Sequence, residues 1–141
     1  MTKLGAFAFM LHSHLPYVRR AGVWPHGEEM VHEALCDTYV PLLDALYDLA
    51  EEGCPFHIAI GITPILAEQL SDPTVIDDFR AYMAAVLARI EKAVTTYGSR
   101  GELELSRLAR WYIGWNQDIL DHFNDRYAGN VVQAFRKLQD A

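Results

Sequence analysis

The chain has 141 residues, about half of them hydrophobic and 22% charged, with a formal net charge of −7. That is the make-up of one globular domain or a piece of one. The acidic balance argues against nucleic acid or an anionic membrane surface as a partner, and no apolar run approaches the roughly 20 residues that span a bilayer. Two cysteines, Cys36 and Cys54, are too few for a disulfide scaffold and lack metal-ligand spacing, so a reducing cytoplasm is the expected setting.

The first element is the apolar run from Leu4 to Leu11. It does not alternate, and so predicts a strand over 4–11 buried on both faces, as in parallel sheets covered by helices. The Lys3-led start faintly resembles a signal peptide, but His12 and His14 stand where small residues would mark cleavage. In α/β folds the chemistry gathers beyond the carboxyl ends of the strands. His12 and His14 fall there and share one face if the strand persists, with Ser13 pointing away. Leu15-Pro16 then turns the backbone out of the sheet. Two imidazoles so placed bind a metal, orient a hydroxyl, act as acid and base, or merely bond to neighbouring strands.

A loop over 12–27 follows and carries Arg19, Arg20, Trp24 and His26. Its Trp24 is either a cap on the core or a stacking platform for a ligand ring. A helix is predicted over 28–52 from the spacing of Val31, Leu35, Leu42, Leu46 and Leu49, with Pro41 kinking or splitting it and Gly53 ending it. Glu28 and Glu29 suit its positive end, and both alternatively face the His pair across the loop. The second strand is expected over 56–62, with His57 at its start. Strand, helix and strand form a βαβ unit. Thr63-Pro64 and Ser71-Asp72-Pro73 each open a helix as cap and proline.

Helices fill 63–139: one from about Pro73 to Tyr97 stopped by Gly98, another from Leu103 to Tyr127, and a last one capped by Asn130. Trp111, Tyr112, Trp115, Phe123 and Tyr127 read as helix-packing residues, with a ligand groove as the alternative. Two strands cannot by themselves make a sheet buried on both faces, so the pattern implies a larger α/β domain.

His12-Ser13-His14-Leu15-Pro16-Tyr17-Val18 resembles the first signature of glycoside hydrolase family 57, in the form carried by its 1,4-α-glucan branching enzymes. The similarity continues through Trp24-Pro25-His26-Gly27-Glu28-Glu29, Glu33-Ala34, Thr38–Leu43 and Ile62–Leu70. The resemblance implies an α/β fold, with residues 1–141 as the N-terminal part of an incomplete (β/α)7 barrel: two parallel strands with long helices. It implies retaining transfer on an α-1,4-glucan, carried by a Glu nucleophile and an Asp acid/base on later strands. Neither segment lies in this chain, so no catalytic residue is assigned here and the chain alone is expected to be inactive.

The substrate-binding residues implied are His14, from the family's His-x-Pro motif, supported by His12, with Trp24 bordering the glucan; Glu28, read above as facing the His pair, is taken as a fourth binding residue. No metal or cofactor is implied. The expected partners are the glucan and either the rest of the barrel or a second copy on the exposed strand edges. Two other readings stand beside it: a non-catalytic remnant that binds glucan or a protein, and a metal-dependent hydrolase fragment drawing on His12 and His14 with His26, Glu28 or His32.

Overall fold

Gly5 and residues 7–140 are described by the computed structural model. Two short strands lie in parallel against a helical body. The first, β1, is Met10–Ser13, and the second, β2, is Ala59–Ile62. His12 stands opposite Gly61 and Ser13 opposite Ile62.

The expected strand over 4–11 is therefore corrected at both ends, with Leu4 and Ala6 outside the described residues. Apolar sequence marks where a strand is able to form, whereas pairing with β2 decides where it does. Phe7 and Met10 are 89% and 75% exposed. Along β1, Met10 and His12 are exposed while Leu11 and Ser13 are half-buried. Among the described residues the sheet is thus covered on one face, not two. The second strand is likewise shorter than 56–62, and His57 lies before it, exposed.

The long helix between the strands is split, as Pro41 requires. Helix α1, Glu29–Ala34, passes into a π turn at Leu35–Tyr39 and then into α2, Val40–Glu51. Pro41 sits in the first turn of α2, where its missing N–H costs least. Gly53, at φ +70°, turns the chain away.

After β2 come α3 (Pro64–Leu70), α4 (Pro73–Ser99), α5 (Leu103–Asp121), a second π turn (His122–Arg126) and α6 (Val131–Asp140). Asp72 Oδ1 caps α4 by accepting from Thr74 N–H at 2.8 Å. Asn130 Oδ1 accepts from Gln133 N–H at 2.9 Å. Gly98 does not stop α4. The chain turns at Gly101, φ +74°, and α5 folds back along α4.

The core gathers Leu35, Leu43, Leu66, Phe79, Met83 and Phe123, with Phe79 and Phe123 edge to face at 4.7 Å. Arg126 ties the second π turn to α2 through Asp48 and Glu51, both at 2.8 Å. Phe123 and Tyr127 pack as expected, but Trp111, Tyr112 and Trp115 do not: they are 56%, 45% and 42% exposed. Their spacing puts them on a face of α5 that turns away from α4, and nothing among the described residues covers it.

Candidate functional site

At the end of β1 the strand alternation sends Ser13 inward, where its hydroxyl shares a hydrogen bond with the Tyr39 hydroxyl. It sends His12 and His14 outward together, and both are exposed. A Cβ added at Gly61 would come within 3.4 Å of His12 Nδ1, so the glycine leaves the imidazole room across the strand pair. His14 Nδ1 lies 3.4 Å from Thr63 Oγ1. Thr63 has the extended backbone of a helix cap, but its hydroxyl makes no capping bond and faces His14 instead. The tip of β2 and the tip of β1 thus meet at these two side chains.

Gln69, buried in α3, fixes the departure from the sheet. Its Oε1 accepts from Val18 N–H at 2.8 Å and its Nε2 donates to Pro16 C=O at 3.1 Å. Arg19 pairs with Asp72 at 2.7 Å. Partial desolvation pushes the Asp72 carboxyl up, but the Thr74 amide and Arg19 outweigh it and hold it below the usual 3.8.

The loop then closes on itself. Glu28 N–H donates to Gly22 C=O at 2.9 Å, and Arg20 N–H to Glu28 Oε1 at 2.8 Å. Gly27 N–H donates to Glu29 Oε2 at 2.9 Å. A Cβ on Gly27 would stand 2.0 Å from Gly22 O, so the crossing admits only glycine. Glu29 is accordingly more than a first-turn acid: it is buried and serves the loop.

Trp24, 79% exposed, does not cap the core. It borders a cleft of about 540 Å³ between the loop, α1 and α4. Glu28 and His32 line the near side; Asp78, Tyr82 and Arg89 line the far side. His12 and His14 do not line it, so the four expected binding residues separate into a strand-tip pair and a cleft pair. Tyr82 and Arg89 are cleft residues that sequence reasoning missed. The signal was the spacing 78, 82, 85 and 89, one face of α4.

His32 is 2% exposed, and neither ring nitrogen has a hydrogen-bond partner. Its ring lies against Tyr82 at 5.3 Å and Phe79 at 6.1 Å between centroids. Desolvation lowers its pKa below 6.5, against the opposing pull of Glu28, Asp78, Glu29 and the nearby Val75 carbonyl. Among the described residues no three His, Cys, Asp or Glu side chains gather as a metal-ligand group, so His26, Glu28 and His32 do not join His12 and His14 in one.

No family model matches the chain. Over 136 residues, 96% of its length, it is 37% identical to the 1,4-alpha-glucan branching enzyme TK1436 of Thermococcus kodakarensis. A GH57-type branching enzyme from Pyrococcus horikoshii superposes on 94% of the chain with a TM-score of 0.88 and 37% identity. This chain is a homologue of the N-terminal portion of glycoside hydrolase family 57 branching enzymes. The alpha-amylase AmyC of Thermotoga maritima is also similar, at 30% identity and a TM-score of 0.80 over 94% of the chain. The family 57 match spans 19% of TK1436, 24% of the Pyrococcus chain and 25% of AmyC. No helix among the described residues is long and apolar enough to cross a membrane.

Proposed function

We propose that residues 1–141 form the opening segment of an incomplete (β/α)7 barrel in a cytoplasmic α-1,4-glucan branching enzyme of family 57. The observation that carries this reading is the match to branching enzymes along 96% of the chain. The strand-tip geometry supports it. His12 and His14 project from one face, and a neutral imidazole offers one donor and one acceptor to a sugar hydroxyl. His14, beside Thr63, touches the sugar, and His12 supports it. Trp24 offers an exposed ring face, and Glu28 keeps one oxygen free for a hydroxyl while the other receives Arg20 N–H.

The reaction is retaining transfer, which needs two carboxylates about 5–5.5 Å apart. In this reading neither comes from this chain. The rest of the barrel, or a second copy, covers the open side of β1.

The test is an assay of the protein expressed from its native gene, on amylose, for new α-1,6 linkages. His14→Ala is expected to lower kcat/KM about 100-fold with the melting temperature unchanged. Unchanged kinetics would remove His14 from the site. Chain shortening without α-1,6 linkages would move the activity to hydrolysis, the reaction of an amylase, and AmyC is the similarity that keeps this second reading in view.

A further inference from the structure

We infer that Thr63 is a positioning residue for His14: its hydroxyl donates to Nδ1, holds one imidazole tautomer and leaves Nε2–H to donate to a glucan oxygen. The inference rests on the glucan reading above and adds to it the residue that orients its first contact. Both backbone groups of Thr63 are fixed. Its N–H donates to Ser13 C=O at 3.2 Å, carrying the parallel ladder one residue past β2. Its C=O accepts from Ala67 N–H at 2.9 Å, opening α3. Pro64 keeps it extended, at φ −65° and ψ 148°. Only the side chain is left to choose a partner. A threonine before a helix ordinarily offers its oxygen to the second or third amide of that helix, and Thr63 does not. Its Oγ1 lies 3.4 Å from His14 Nδ1 instead.

The bond acts on a ring with little else to hold it. His14 is exposed, and among the described residues Thr63 is its hydrogen-bond partner. A neutral imidazole has one N–H and one lone pair, and the bond at one nitrogen sets what the other presents. When Nδ1 takes the Thr63 hydroxyl proton, the ring's own proton sits on Nε2, as a donor free for substrate. His12 is the contrast. It stands opposite Gly61, which has no side chain to bond it, so its ring serves as an internal reference.

The test is nitrogen-15 magnetic resonance of the neutral His14 ring in this chain, beside amylose kinetics of the protein expressed from its native gene. In the unsubstituted chain the Nδ1 and Nε2 signals are expected to lie far apart, as for a single tautomer. Thr63→Val keeps the shape and removes the hydroxyl. It is expected to draw the two signals together, to leave those of His12 in place and to lower kcat/KM about tenfold. The melting temperature is expected to hold, because no capping bond is lost. Thr63→Ser restores the hydroxyl and is expected to restore both readouts. Signals unmoved in Thr63→Val, or moved equally at His12, would overturn the positioning role and leave the glucan reading intact. Kinetics lost in Thr63→Ser as in Thr63→Val would overturn it too, by placing the effect in the branched shape. No action of the unsubstituted protein on amylose would overturn the glucan reading and the contact assigned to Nε2–H, while the ring signals would still decide the bond.

Discussion

The Gln69 carboxamide holds the backbone of Val18, accepting its N–H at 2.8 Å inside the protein. Through its other end it takes Pro16 C=O at 3.1 Å. One buried side chain of α3 thereby replaces the sheet partners that the chain loses when Pro16 turns it out of β1. Gln69→Leu keeps the volume and strands both backbone groups. It is expected to cost about 2–4 kcal/mol in urea unfolding, with the His12–His14 tip loosened. A loss below 0.5 kcal/mol would show that water takes over the two bonds.

The crossing of Gly27 over Gly22 makes a similar demand on the Trp24 loop. Gly27→Ala puts a methyl group 2.0 Å from a carbonyl oxygen, and backbone cannot yield as a side-chain tip does. The expected penalty is about 1–3 kcal/mol, accompanied by a changed Trp24 environment. Near-ultraviolet circular dichroism beside a thermal melt reads both.

The two cysteines are expected to separate by reactivity. Cys54 is exposed, whereas Cys36 is buried. Desolvation, with Asp37 alongside, pushes the Cys36 thiol up to about 12. Since the thiolate is the nucleophile, a disulfide reagent at pH 8 should titrate one thiol per folded chain and two in denaturant. Two fast thiols in the native protein would contradict the packing of the first π turn.

What the sequence made legible follows from how local each cause is. Caps are local, so Asp72 and Asn130 declared themselves, as did the split at Pro41 and the outward pair at His12 and His14. The shared face of the pair needs only strand alternation. Coverage is not local: the spacing of Trp111, Tyr112 and Trp115 gives a face of α5 but not whether another element lies on it. Strand ends depend on the partner's register, so β1 ran on to Ser13. Gln69 looked like any polar helix residue, because its work is done on residues some fifty positions earlier. The cleft was least visible, since Tyr82 and His32 lie on separate helices some fifty residues apart and become neighbours only when α1 meets α4.

The uncovered face of α5 has a consequence in solution. Leu105, Leu108, Tyr112 and Trp115 follow the a/d spacing of helix pairing and are 46%, 49%, 45% and 42% exposed. Trp111 stacks on Trp115 at 5.6 Å beside them. A contiguous apolar face of this kind favours association. The isolated chain is expected to self-associate with rising concentration in sedimentation velocity, and Trp115→Lys to shift it toward monomer. A monomer at all concentrations would show that the face tolerates water.

His32 gives the protein a pH dependence whose sign is fixed. Burial among Phe79 and Tyr82 disfavours the charged ring, so its folded-state pKa lies below 6.5. Between that lowered value and 6.5 the unfolded chain binds more protons than the folded one. Stability from this residue is complete above pH 6.5 and falls as the pH drops through the window, by at most about 1.4 kcal/mol per pH unit. Asp72 does not confuse the reading, because its own contribution is lost only at pH values below its usual 3.8. His32→Phe removes the titrating ring and should flatten urea midpoints measured from pH 8 to pH 5, while the unsubstituted chain loses stability below 6.5. Parallel curves for the two proteins would mean that His32 takes up its proton as readily in the fold as in the unfolded chain, which its burial argues against.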